Sequence, residues 1–334
     1  MKFSGIIIII IILESLYAYM INDRNTHTFS LYLLGIVLYS GLKVTENSKK
    51  RNSYYKTVTY HNFLFKWFLA CLYHDVGYIY EKEKHYYDSC KNLDAFLEEL
   101  EIKEENNLLE GVYKNGKEPR YYQNKQLVYN YYLYTLNERK RLDHGIAGGL
   151  LLYKNLIEMY SSIARKYDYV SADIVEDGLL YSPKLFSQYW VAADAIARHN
   201  IWMVNTESKL DSKETIEKRR QIYKAYQLNE LIIDNDNRGY FNKDNLIWFL
   251  LCFADSIEPV KVYNTVKPEE VLKNIKINLT DNMIEFDFTH SVLESEPLYK
   301  KAKGLQDWLN VEIKSDVDAD NKDCPMVFSI NIKL

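Results

Sequence analysis

The 334-residue sequence places no CxxC pair among its four cysteines, Cys71, Cys90, Cys252 and Cys324. Paired zinc or redox cysteines are therefore absent, and a chain this long folds without disulfide staples. Cys71 and Cys252 lie inside apolar helical runs, where a buried free thiol is expected, and a reducing cytoplasm is the compartment that fits. There is no Gly-rich phosphate loop and no internal repeat. Neither sign of charge is in large excess: the net charge of −4 gives no field for holding nucleic acid non-specifically. A small substrate is favoured, with nucleic acid still possible. No apolar stretch reaches the ~20 residues of a membrane span. Ile6 to Leu13 is unbroken aliphatic, but Glu14 interrupts it and Glu14-Ser15-Leu16-Tyr17 makes a poor cleavage site. We expect a buried first helix there, with an N-terminal anchor as the alternative.

What remains is an ordinary globular composition, 47% hydrophobic and 26% charged. The 30 tyrosines accompany abundant Asn, Lys and Ile and read as a composition bias rather than a functional signal. The apolar periodicity predicts a mainly α protein. A second helix runs from Thr26, with Phe29, Leu31, Leu33, Leu34, Ile36, Val37 and Leu38 as a buried stripe. Thr57 to Tyr78 is a helix leading into His74-Asp75. Residues 81–140 read as an insertion, with a helix near Leu93–Ile102, a loop or hairpin around Lys114–Lys117, and a helix from Asn124 to Arg139. A long apolar helix over Ile146–Ala164 carries Ala147, Gly148 and Gly149 in its first turn, where small residues let another backbone or a ligand come close. Residues 165–185 read as a linker. Helices follow over Gln188–His199, Ser212–Leu228 and Leu246–Ile257, the last stopped by Pro259. After about residue 268 two alternating runs, Ile275–Leu279 and Met283–Phe288, flank Thr280-Asp281-Asn282, a hairpin signal. Together with a helix over Glu296–Trp308 and strands at Val311–Ile313 and Met326–Ile332, they predict a small ββαββ-like appendage. The expected division is a helical domain over 1–265 and an appendage over 270–334.

Of seven histidines, His27, His74, His144 and His199 each sit at the end of a strongly apolar helix. Asp255 lies within another, following Leu250-Leu251-Cys252-Phe253-Ala254. A carboxylate in an apolar helix is costly unless paired or coordinated. Imidazole and carboxylate are good ligands for a divalent transition metal, and one metal centre would compensate all of these groups together. His61 is read as a capping or core histidine, or as a replacement for His27. His85, among Lys and Glu, is expected at the surface, and His290 is expected to have no ligand role.

The order His27, His74-Asp75, His144, His199, Asp255, each on a different apolar helix, resembles the HD-domain superfamily of metal-dependent phosphohydrolases. The words around these residues, Asp143-His144-Gly145, Ala195-Ile196-Ala197-Arg198-His199-Asn200 and Phe253-Ala254-Asp255-Ser256-Ile257-Glu258-Pro259, extend the resemblance over about residues 20–260. It implies an HD-type all-helical bundle core. It also implies two divalent metal ions (Mn, Fe, Ni or Zn, with Mg possible): His27, His74, Asp75 and Asp255 would hold the first, and Asp75 would bridge to a second held by His144 and His199. Hydrolysis of a nucleotide or other small phosphate ester by a metal-bridging hydroxide follows, with Asp143 or Asp255 orienting or deprotonating the nucleophile. Arg198 is either a phosphate contact or an ordinary surface arginine. Many members of the family read HD-x-G-Lys; the final position here is Tyr78, which can donate a hydrogen bond or stack on a base but brings no positive charge, with a packing residue as the equal alternative. The same ligand order also serves diiron oxygenases of the superfamily, and a metal-stabilised sensor or interaction module is the non-enzymatic alternative.

Overall fold

In the computed structural model the described residues are 22–42, 63–102, 121–167, 174–176, 179–200, 203–204, 213–233, 246–306, 309–316 and 324–333. In chain order the helices are α1 (Asn22–Gly41), α2 (Phe63–Tyr73), α3 (Tyr78–Lys82), α4 (Lys84–Ser89), α5 (Leu93–Glu99), α6 (Tyr121–Tyr134), α7 (His144–Leu152), α8 (Glu158–Lys166), α9 (Pro183–Arg198), α10 (Lys213–Ala225), α11 (Leu246–Ile257), α12 (Pro259–Val262), α13 (Pro268–Asn274) and α14 (Glu296–Leu305). The strands are β1 (Ile174–Glu176), β2 (Leu179–Tyr181), β3 (Met203–Val204), β4 (Ile232–Ile233), β5 (Lys276–Thr280), β6 (Met283–Asp287), β7 (Val311–Ser315) and β8 (Val327–Ile332). The fold is thus mostly helical with a small antiparallel C-terminal sheet. Among the described residues no helix is long and apolar enough to cross a membrane. The chain divides into two compact units, one of residues 1–20, 57–201 and 221–231, the other of 21–56, 202–220 and 232–334.

The first unit is built on α2, α7 and α9. Trp67, Leu69 and Ala70 of α2, Ile146, Ala147 and Leu150 of α7, and Ala192, Ala195 and Ile196 of α9 are all buried. Glycines set how closely these helices pack. A Cβ on Gly148 would lie 2.4 Å from the Tyr73 carbonyl oxygen, and one on Gly149 would lie 2.8 Å from that of Ala193. The small residues at the start of α7 therefore admit two neighbouring backbones. Asp143 caps α7, its Oδ1 accepting from the Ile146 amide at 3.1 Å.

Several boundaries differ from the sequence expectation. The helix into His74-Asp75 ends at Tyr73, and residues 74–77 form a turn before α3 begins at Tyr78. The turn brings Gly77 against α7. The expected helix over 124–139 passes into a π-helical turn at Thr135–Arg139 and ends on Lys140 at φ 55. The expected continuous helix over 146–164 is interrupted by a second π-turn, Tyr153–Ile157. The linker over 165–185 contains the antiparallel β1–β2 hairpin, and α9 starts at Pro183, five residues before the expected Gln188, because proline suits a first helical position. The Lys114–Lys117 turn, the Ile6–Leu13 run and His61 lie outside the described residues.

In the second unit α1 begins at Asn22, four residues before the expected Thr26. Its stripe is narrower than expected: Leu31, Leu34 and Leu38 are buried, whereas Phe29, Leu33 and Val37, one turn apart in sequence, are exposed. Trp248, Phe249, Leu251 and Phe253 make α11 buried on all sides. The sheet has the order β5-β6-β8-β7, every pair antiparallel, with α14 between β6 and β7 in sequence. This is the expected ββαββ pattern. The β5–β6 turn places Asn282 at φ 56, a conformation asparagine tolerates.

Candidate metal centre

In the first unit three histidines and an aspartate gather around the junction of α2, α7 and α9. His74 follows the last residue of α2 and is fully buried. Its Nδ1 lies 2.7 Å from the Cys71 carbonyl oxygen, so that nitrogen donates and Nε2 is left as the electron-pair donor. Nε2 is 3.4 Å from Asp75 Oδ1. His199, at the C-terminus of α9, repeats the arrangement, with its Nδ1 2.6 Å from the Ile196 carbonyl. Each ring is thus pinned by a carbonyl three residues earlier on its own helix. The rings of His74 and His199 are 6.0 Å apart by centroids, and those of His144 and His199 are 5.3 Å apart. Gly145 makes the last approach possible, since a Cβ there would sit 2.9 Å from the His199 ring.

His144 is oriented differently. Glu81 of α3 places Oε2 2.6 Å from its Nδ1 and 3.2 Å from its backbone amide, so both N–H groups donate to one carboxylate oxygen. Asn200 supplies its side-chain amide to the other nitrogen, Nε2, at 2.8 Å. All three histidines therefore carry the proton on Nδ1. The second oxygen of Glu81 meets Arg141 Nη1 at 2.7 Å. Burial pushes the Glu81 carboxyl up, but His144 and Arg141 beside it outweigh that and hold it below the usual carboxylate range. Tyr78 stacks on His144 at 3.8 Å between centroids with an interplanar angle of 13°, and Lys82 lies over the tyrosine ring.

Two residues given catalytic roles by the sequence have structural partners. Asp143 is buried and its Oδ1 caps α7; burial raises its pKa. Arg198 donates to Asp194 one turn earlier on α9, where Asp194 is only 4% exposed.

The second unit holds the other two predicted ligands. His27, buried in α1, lies between two carboxylates: Nδ1 is 3.0 Å from Glu258 Oε2, and Nε2 is 3.2 Å from Asp255 Oδ1. Burial disfavours the charged ring, but the hydrogen bonds to Asp255 and Glu258 prevail and its pKa is pushed up to about 9. Lys261 Nζ also reaches Asp255 Oδ1, at 2.6 Å. Glu258 has no exposed surface. It caps α12 by accepting from the Val260 and Lys261 amides at 2.9 and 2.7 Å, and it accepts from Ser30 Oγ at 2.5 Å. His85 is exposed, as expected, and His290 is exposed too.

Glu81, Asn200 and Glu258 were not singled out in the sequence. Tyr78 and Glu81 are three apart at the start of a helix and so share a face, which could have flagged the acid. Glu258-Pro259 is an acid followed by proline, a helix-start signal.

A helical protein with a histidine–carboxylate cluster is what the fold and side chains define. Comparison of the chain with protein-family models, with curated proteins and with solved structures finds no match.

Proposed function

We propose that the protein is an HD-type metal-dependent phosphohydrolase or phosphodiesterase acting on a nucleotide or another small phosphate ester. The observation that carries this reading is the shared tautomer of His74, His144 and His199. Each commits Nδ1 to a carbonyl or a carboxylate, the outer bond that metal-binding histidines make, and so keeps Nε2 as the ligand atom. With Asp75 beside His74, the donor set is imidazole and carboxylate, which suits Mn, Fe, Ni or Zn better than Mg.

On this reading His144 and His199 would hold one ion, His74 would help to hold another, and Asp75 would contribute to both. The resemblance counts His27 and Asp255 among the ligands of the His74 ion. The ions would supply Lewis acidity and an activated water for in-line attack at phosphorus. The chain's own residues do the rest. Tyr78 covers one face of His144 and keeps that ring from turning. Arg141, about half exposed and one carboxylate away from His144, is better placed than Arg198 to meet a substrate phosphate, because Arg198 is engaged by Asp194.

The test is metal analysis of the purified protein followed by a nucleotide panel with Mn²⁺. Asp75→Ala should lose both ions and all turnover, and metal content unchanged in that variant sinks the assignment. His144→Ala or His199→Ala should each lose one ion selectively, while His290→Ala should lose none. Bound iron with a mixed-valence EPR signal and no phosphoesterase activity would point instead to the oxygenase branch.

A further inference from the structure

We propose that Glu81 is the positioning residue that makes His144 a metal ligand. The inference rests on the metal-centre reading above and adds a residue outside the six assigned ligands. His74 and His199 take their ring orientation from carbonyls of their own helices. His144 cannot do so. As the first residue of α7 it has no preceding helical turn, and the residue three positions before it is Arg141, outside the helix. A substitute acceptor must come from elsewhere in the fold, and α3 supplies it. One Glu81 oxygen takes both the ring Nδ1–H and the backbone N–H of His144, which fixes the side chain relative to its own main chain. The other oxygen is anchored by Arg141, so the carboxylate cannot rotate away without breaking an ion pair. The Glu81 side chain is 9% exposed, which limits competition from water.

The consequence is chemical as well as geometric. An imidazole that donates to a carboxylate is more basic at its far nitrogen than one that donates to a carbonyl. His144 is then the strongest neutral donor of the three rings, and the ion it binds depends on an acid that touches no metal. A purely structural Glu81 would stabilise the fold without setting the ring's tautomer.

The experiment uses the full-length chain with Glu81→Gln and Glu81→Ala. In the metal-free protein, ¹⁵N-imidazole NMR should show His144 moving from the Nδ1–H tautomer to a tautomer mixture in Glu81→Ala, with His74 and His199 unmoved. Titration with Mn²⁺ should show affinity for the His144 ion falling ~10–100-fold in Glu81→Ala, the range for loss of an outer-shell partner. Glu81→Gln keeps an acceptor without the charge and should restore the tautomer but only part of the affinity. An unchanged His144 tautomer in Glu81→Ala overturns the proposal, as does an unchanged affinity in a protein whose His144→Ala variant has lost an ion. If the wild-type chain binds no second ion, the functional reading fails separately, and the tautomer measurement still decides the role of Glu81.

Discussion

Gly77→Ala is the substitution whose outcome depends most directly on how the HD turn is packed. Gly77 has φ −64° and ψ −12°, ordinary right-handed geometry that alanine adopts at no cost. On chain entropy alone the change should stabilise the protein by ~0.4–1 kcal/mol. Packing argues the opposite. A Cβ at 77 would lie 2.0 Å from the His144 carbonyl oxygen, 2.7 Å from the Gly148 amide nitrogen and 2.8 Å from Ala147 Cβ. None of these atoms is the end of a flexible side chain. To restore a 3.4 Å contact the turn and α7 must separate by about 1.4 Å, the difference between 3.4 and 2.0 Å. Overpacking of this kind costs ~3 kcal/mol, which leaves a net loss of about 2 kcal/mol. The same displacement moves His74 and Asp75 away from His144 and His199. Metal–ligand distances tolerate only about ±0.2 Å, so the variant should also lose metal. The assays are the urea midpoint and the metal-to-protein ratio. Gly304→Ala is the control: it lies inside α14 with nothing within 4 Å of its Cβ position and should gain ~0.5–1 kcal/mol. If Gly77→Ala proves as stable as Gly304→Ala and keeps its metal, the close approach of the turn to α7 is wrong.

Other outcomes follow from single contacts. His27, with its pKa raised from 6.5 to about 9 by two carboxylates against the effect of burial, adds stability to the chelated protein that is complete below pH 6.5 and is lost as the pH rises through 9. The change is on the order of 3 kcal/mol, and a His27→Gln variant that keeps the same pH slope in urea denaturation would contradict it. Arg198→Ala leaves the buried Asp194 carboxylate without its guanidinium and should cost about 3 kcal/mol, partly regained by adding Asp194→Asn; Arg141→Ala should raise KM and, by freeing the Glu81 carboxylate it anchors, also weaken the ion held by His144. Asn200→Ala removes an amide that occupies His144 Nε2, so calorimetric titration should show tighter binding of the second ion, and weaker binding would make Asn200 a ligand rather than a placeholder.

How much of this was legible in the sequence depends on the range of the interaction. Apolar periodicity located α11, α14 and the four strands of the C-terminal sheet to within a few residues, because those elements bury one pattern throughout. It overextended the helix before His74-Asp75, where Gly77 turns against α7, and it did not anticipate either π-turn. Gly77 sits where it does because α7 lies against it, and no local preference encodes that. The exposed Phe29, Leu33 and Val37 show the same limit from the other side: seven apolar positions on α1 were read as one stripe, and the structure buries Leu31, Leu34 and Leu38 on a narrower one.

For the site, the sequence identified histidines at helix ends but not the acids that orient them, and the reason is chemical. A candidate ligand betrays itself by being polar in an apolar run, as His74 and Asp255 do. Glu81 lies among Tyr, Lys and Glu, and Glu258 adjoins a proline at a helix boundary, places where an acid is unremarkable. Both nevertheless receive a ring N–H from a histidine, His144 in one unit and His27 in the other. For His144 the physical basis is its place in the helix. His74 and His199 come at the ends of helices, with a carbonyl three residues earlier turned toward the ring. His144 opens its helix and has no such carbonyl, and in α1 both His27 nitrogens turn to carboxylates. Where a histidine stands in its helix therefore bears on the acceptor it uses, and a histidine that opens a helix directs the search to a carboxylate elsewhere in the chain.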